Sequence, residues 1–376
     1  MSEYLPLDVV ALILRRLPVE TVVKCTAVCK AWYALIKHPS FISNHLQAAS
    51  LRDDLLLQRA LHHYYLRRDS DDLEELKKFR LPLDCGEWGT FTYVGTCNGL
   101  ICLVVCRPSW DIVLWNPSIH KHFILPRFAC QQVRDHFPSC LGFGFDALSE
   151  DYKVILIACE AHDLEIWLFS LNNCSWFRLT EFSPKHRWCG VRELRQAVFV
   201  NGALHWSGVL NYGVIRHVIM AFDLSTEKFY VMNYPTALVD FDHDISLIKY
   251  EDSIAVVTPR ILYYNQVECW VMKEYNIDSS WVNVLRPMEE DGNSGFGKHL
   301  MDVFGVRKNG EVLVNSSGGL FSGSEIALLD LNCHRKEQQL KHLGIWTHHT
   351  LSSVVSFVES LVLFDKGEQD HEGQLE

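Results

Sequence analysis

The sequence predicts an α+β chain of two modules, a head of three helices followed by an all-β propeller of six blades, one of them closed by strands from both chain ends. Three features lead there. Apolar residues recur at helical spacing only as far as about residue 46, and beyond it they come in short runs bounded by turn residues, as strands do. A marker, an aromatic or Leu followed by a small polar residue, recurs at Trp115, Phe169, Phe222, Tyr275 and Leu329. The intervals are 54, 53, 53 and 54 residues. A period near fifty in a β-rich chain marks a propeller with one four-stranded blade per period.

In the head, Val9, Val10, Ile13, Leu14 and Leu17 fall at spacings of three and four, which predicts one shared helical face. Asp8 opens this segment and Arg15 and Arg16 close it, each at the end that suits the helix dipole. Pro18 ends the pattern by removing a backbone donor. Val19 to Val28 reads as a second helix and Lys30 to Lys37 as a third. A module this small hides too little of its surface to make an independent core, so part of its apolar face is expected to be shared with a partner.

The order Leu5-Pro6-Leu7-Asp8, Ile13-Leu14, Leu17-Pro18-Val19, then Val28-Cys29-Lys30-Ala31-Trp32 with Leu35-Ile36, Pro39 and Phe41, resembles an F-box across residues 4 to 46. The resemblance implies docking on a Skp-type adaptor of a cullin-based ubiquitin ligase through Leu5, Pro6, Ile13, Leu14, Leu17, Pro18, Val28, Cys29 and Trp32. Two positions depart from the family pattern. Cys25 stands where a bulky apolar residue is common, and Ala27 is small, which would loosen the packing beneath the docking face.

The remaining chain divides into a linker with closing strands (49–90), the propeller (91–365) and a polar, disordered tail (366–376). Five full periods run from about Phe91 to Leu340. Middle strands such as Val154 to Ala158 and Ile254 to Val257 are continuous apolar runs, which suits sheets covered on both faces by neighbouring blades. Ser353 to Val358 and Leu361 to Phe364 are expected to give two strands of the last blade, and residues 54–66 and 76–83 the other two. Closing the ring in this way removes free sheet edges.

Gly95-Thr96-Cys97-Asn98-Gly99-Leu100-Ile101-Cys102-Leu103 with Leu114-Trp115-Asn116-Pro117 resembles the opening of the plant F-box-associated interaction domain, a kelch-like propeller. Gly142-Phe143-Gly144-Phe145-Asp146 with Tyr152-Lys153-Val154, and Asn201-Gly202-Ala203-Leu204-His205-Trp206, are similar to its later landmarks. The two resemblances together imply a substrate receptor of a Skp-cullin-F-box ligase, linked through the adaptor to cullin and a RING subunit. A scaffold that recruits no ligase, and a propeller glycoside hydrolase, are the competing readings.

A net charge of −11 and a pI near 5.9 oppose a nucleic-acid binder, which needs a basic stripe. No signal segment or apolar run of membrane-spanning length is present, so neither membrane nor secretory route is expected, and the location is cytosol or nucleus. Thirteen cysteines without CxxC pairs read as reduced, mostly buried thiols, and no metal or cofactor is expected. Gly142-x-Gly144 has no third glycine or following helix, no HExxH or GxSxG occurs, and catalysis is not expected of this chain.

A target surface is expected on the propeller face that carries the long connections. These are Cys106 to Asp111, Val209 to His217, Arg260 to Glu268 and Gly318 to Ser324 between second and third strands. Arg127 to Ser139, Glu181 to Leu194 and Pro287 to His299 join successive blades on the same face. They carry Arg107, Trp110, Arg187, Trp188, Tyr212, Tyr263, Tyr264 and Phe321, of the residue types that dominate binding hot spots.

Overall fold

Four helices come first: α1 (Leu7–Leu14), α2 (Val19–Cys25), α3 (Lys30–Lys37) and α4 (Pro39–Ser50). The computed structural model describes residues 5–51, 55–60, 63–83, 91–105, 110–127, 140–160, 163–179, 195–211, 215–238, 245–258, 268–285, 300–307, 309–317, 324–330, 340–347 and 353–365. The fourth helix exceeds the three expected. It begins at Pro39, whose missing N–H costs nothing in a first helical turn, and it adds Phe41, Ile42 and Ala49 to the core of the head.

The strands follow in sheet-sized groups. β1 (Leu55–Ala60), β2 (His63–Arg68) and β3 (Glu75–Arg80) precede β4 (Phe91–Cys97), β5 (Leu100–Val105), β6 (Ile112–Asn116) and β7 (Lys121–Ile124). The next group is β8 (Cys140–Asp146), β9 (Asp151–Glu160), β10 (Asp163–Ser170), β11 (Ser175–Arg178) and the short β12 (Arg195–Gln196). Then come β13 (Val198–Val200), β14 (Ala203–Asn211), β15 (Ile215–Asp223) and β16 (Lys228–Met232). β17 (Ser246–Tyr250), β18 (Ser253–Val257), β19 (Cys269–Met272) and β20 (Trp281–Leu285) make another. The chain ends with β21 (Leu300–Val306), β22 (Glu311–Ser317), β23 (Ser324–Asp330), β24 (Leu340–Thr347) and β25 (Ser353–Phe357).

These strands make six sheets, the blades of a propeller. Five of them pair in chain order, the second with β12 added in parallel beside β8. The sixth has the order β25-β1-β2-β3, so it is built from both chain ends. Its division differs from the expectation of two strands from each end: three come from residues 55–80 and one from the tail. Residues 361–364 turn instead of pairing, because the Asn116 side chain takes the bonds that a strand partner would offer, as set out below.

Two compact units divide the chain: Met1–Leu55, Phe79–Arg127 and Ser356–Glu376 form one, and Leu56–Lys78 with Phe128–Val355 the other. In the first unit, β5 and β6 are buried along their whole length. Asn116, at the end of β6, is fully buried, and its Nδ2 donates to the carbonyls of Ser360 (2.9 Å) and Val362 (2.8 Å). Its Oδ1 accepts from the Ser118 amide at 3.0 Å and so shapes the turn into β7. Opposite stands Gly99 (φ +78°), where an added Cβ would lie 2.5 Å from Ser360 Oγ and 2.6 Å from Val358 O. No side chain fits there, so the turn between β4 and β5 can close on the tail.

In the second unit, consecutive residues of β14 clamp opposite faces, as period-two alternation requires. Trp206 is fully buried against β8, and its indole N–H donates to Leu141 O at 3.1 Å. It takes the space left by Gly142, where a Cβ would lie 2.7 Å from the indole, while Phe199 fills that of Gly144. These glycines make room for the aromatic rings of the next blade. On the other face, His205 Nδ1 donates to Val198 O (3.0 Å), so its Nε2 accepts from the Tyr275 hydroxyl at 2.8 Å. Tyr230 OH lies 2.6 Å from Tyr275 OH and donates to it. Burial lowers the His205 pKa to about 4 against a smaller opposing effect of the Val198 bond, which keeps the ring neutral. Four of the five repeat markers sit at the ends of third strands, but β19 stops at Met272 and leaves Tyr275 in the turn for this bond.

Polar ties also join neighbouring blades at their tight turns. Lys153, almost fully buried, donates to Asp146 (3.0 Å), Glu227 (2.9 Å) and Leu224 O (2.8 Å). Burial alone would raise the Asp146 pKa, but donors from Ser149, Ser225, Lys153 and the Leu148 amide outweigh it and hold the carboxyl well below the usual range. Arg307, also buried, bridges Asp69 and Glu311 in the same manner.

Replacing Asn116 by Leu should strand the Ser360 and Val362 carbonyls in the interior and cost about 2–4 kcal/mol, read as a fall in the urea midpoint at unchanged m. Acid unfolding should show two limbs. From about pH 6.5 toward 4 the unfolded chain takes up the His205 proton that the folded chain refuses, so stability falls; the contribution of Asp146 is full above about pH 4 and is lost below it. Urea titrations between pH 7 and 3 should find the upper limb flattened in His205→Gln and the lower in Asp146→Asn.

Candidate functional site: an uncovered apolar stripe on the helical head

Two prolines start the helices of the stripe. Pro6 precedes α1, and its carbonyl accepts from Val9 (3.0 Å) and Val10 (3.1 Å); Pro18 precedes α2 and accepts from Val22 at 3.0 Å. α1 is apolar nearly all round, so it cannot bury every apolar side chain against three short neighbours. Val10 and Leu14 point inward with Val19, Val22, Ile36, Phe41, Ile42 and Ala49. Leu5, Leu7, Val9, Leu12, Ile13, Val28 and Tyr33 stay exposed.

This corrects the expectation of one shared face on α1. A step of about 100° per residue sends Val10 and Leu14 inward and Val9 and Ile13 outward. Among the nine expected docking residues, Leu5 (61 % exposed), Pro6, Ile13 (48 %), Pro18, Val28 (61 %) and Cys29 are exposed, and Leu17 and Trp32 are half-buried. Leu14 is only 1 % exposed and is part of the head's own core, so a partner cannot touch it in this conformation. Leu7, Val9, Leu12 and Tyr33 are exposed as well, although none of them is among the nine expected docking residues; for the three on α1 the signal is apolar residues on every side of that helix. Cys25 is half-buried, whereas Ala27 is exposed, so its small size leaves no hole beneath the stripe.

The charge around the stripe opposes that of the chain. Residues 5–51 hold Arg15, Arg16, Lys24, Lys30 and Lys37 against Asp8 and Glu20. Lys24 pairs with Glu20 at 2.8 Å across one helical turn, an exposed contact of little energetic weight, and Lys37 lies over the Tyr33 ring at 5.8 Å.

On the propeller, one expected target residue can be placed: Trp110 is half-buried with φ 55°, directly before Asp111, whose carboxylate accepts from Arg127 at 3.2 Å. Arg107, Arg187, Trp188, Tyr212, Tyr263, Tyr264 and Phe321 lie outside the described residues. Val209 to His217 is not a long loop. β14 and β15 pair through Val209↔His217, Leu210↔Arg216 and Asn211↔Ile215, so the ladder runs on to residue 211.

A recurrence not noticed in the sequence lies at the same end of the sheets. An acid near the start of a third strand pairs with a base at or just beyond the fourth: Asp111 with Arg127, Glu165 with Arg178 (2.9 Å), and Glu325 with His342. The Trp two residues on bonds this acid in Glu165-Ile166-Trp167 (3.4 Å), and Glu268-Cys269-Trp270 repeats the arrangement at 2.8 Å. That Glu-x-Trp repeat was the available signal. Among the described residues no three His, Cys, Asp or Glu side chains converge as metal ligands.

A short helical head with an uncovered apolar stripe, joined to a six-bladed propeller, has the architecture of an F-box protein. The chain belongs to the F-box proteins with an F-box associated beta propeller domain: that domain's family model matches residues 55–336, and the F-box domain model matches residues 3–44. It is 30% identical to F-box protein CPR1 of Arabidopsis thaliana over 309 residues, covering 75% of this chain and 72% of the relative. F-box protein At4g22390 of the same plant is 28% identical over 305 residues, covering 75% and 73%.

Proposed function

We propose that this chain is the substrate-recognition subunit of a Skp-cullin-F-box E3 ubiquitin ligase. Its head docks on a Skp-type adaptor, which links it to cullin and a RING subunit, and its propeller captures a protein target for ubiquitination in the cytosol or nucleus. The observation that carries this reading is the stripe of large apolar side chains left uncovered on the head. Completing the burial of a half-exposed Leu, Ile or Val is worth about 1 kcal/mol, so the exposed residues of α1 with Val28 supply roughly 5–6 kcal/mol. That sum alone lies near the lower bound of the cost of association, so the basic residues around the stripe must add to it. They fit an acidic partner surface.

The chain itself supplies no chemistry in this reading. It raises the local concentration of a target beside a charged ubiquitin-conjugating enzyme. Ligase-independent scaffolding is separated from this role by adaptor binding. In calorimetric titration of the full chain with a purified Skp-type adaptor, Ile13→Asp and Val28→Asp, both at exposed sites, should each weaken the complex at least about tenfold with unchanged circular dichroism. A wild-type chain that forms no complex would refute the reading. The same variants, used as bait, should retain captured targets that the intact chain sends to degradation.

A further inference from the structure

We infer that His45 is a positioning residue for the docking stripe: from inside the head it holds the Leu17–Pro18 turn in the shape that the adaptor meets. This rests on the docking reading above. Among the described buried residues of the head, His45 is the polar one in a core that otherwise consists of Val, Leu, Ile, Phe and Ala, and it is 0 % exposed. A polar ring in such a place costs free energy unless it is bonded. Its Nε2 lies 2.9 Å from the carbonyl oxygen of Leu17, twenty-eight positions earlier in the chain. A carbonyl only accepts, so the ring donates.

That carbonyl stands at the junction of two helices. The turn's backbone bonds run from Leu17 N to Leu14 O (3.1 Å) and from Val22 N to Pro18 O (3.0 Å), and neither uses it. α4 therefore reaches beneath the stripe and fixes the break between α1 and α2, the point that sets where Leu17 and Pro18 stand relative to Ile13. Phe41, one helical turn before His45 and itself buried, lies against the imidazole with ring centroids 6.1 Å apart and limits its rotation. Without the bond the turn must be ordered at the moment of docking, and that cost appears as lost affinity.

The test is calorimetric titration of the full chain with a purified Skp-type adaptor, with circular dichroism as the control on folding and amide exchange at Val22 as the readout of the turn. His45→Leu should bind about tenfold more weakly, the equivalent of one hydrogen bond, and exchange faster at Val22; His45→Gln, which can place an amide N–H near the same carbonyl, should stay within about threefold of wild type. The loss in His45→Leu should largely vanish when Leu17→Ala/Pro18→Ala is already present, yet add in full to Val28→Ala, which lies outside the turn. Adaptor bound equally by wild type and His45→Leu, a Gln variant no better than Leu, or full additivity with the turn variant would overturn this role alone. A wild-type chain that binds no adaptor would overturn the docking reading and this role together. If the Leu variant fails to fold, the Gln variant decides, since a loss as large as that of the turn variant would refute the role.

Discussion

The structure depends on a shortage of interior in its head. Four helices of 7 to 12 residues enclose room for Val10, Leu14, Val19, Val22, Ile36, Phe41, Ile42, Ala49 and the ring of His45. α1 carries apolar side chains on its outer side as well, and these stay in water. A sequence under pressure only to fold would place polar residues there, because solvent-facing Leu and Ile contribute nothing to the isolated head and expose it to aggregation. Their presence ties the stripe to something outside the head.

The propeller meets the opposite condition. Its second and third strands are covered on both faces, and its seams are filled by residues that alternate sides along one strand, as Trp206 and His205 do. Where a seam has polar content, that content is bonded: Lys153 among Asp146, Glu227 and Leu224 O, and Asn116 over the carbonyls of the tail. A buried lysine without its carboxylates would be far costlier than an apolar residue, so such ties fix the geometry of the seam more than they add to its stability.

Much of this was legible in the sequence for a physical reason. The repeat interval survives because four of the five markers end a third strand and the polar partner shapes the next turn: Asn116 Oδ1 holds the Ser118 amide, Asp223 the amides of Ser225 and Thr226, and Ser170 the amide of Asn173. The division of the sixth blade was not legible, because residues 358–364 are as apolar as a strand, and only the position of Asn116 in space shows that their carbonyls are taken by a side chain. The inward place of Leu14 was hidden for a related reason. With apolar residues all round α1, periodicity shows that the helix exists but not which side faces in; the position of α2 and α4 decides that.

The two ends of the blades then differ in what their polar contacts hold. At the tight turns, Asn201 donates to Asp252 O, Ser225 to Asp146, and Arg307 to Asp69, so bonds cross from one sheet to the next and fix blades against each other. At the long connections, the pairs Glu165–Arg178 and Glu325–His342 join the third and fourth strands of one sheet. Each such pair fixes where a loop leaves its blade and places no demand on the sequence of the loop. A scaffold of this kind can change the sequence of its long connections while its seams and its head stay as they are, which is what the receptor role proposed above would require of it.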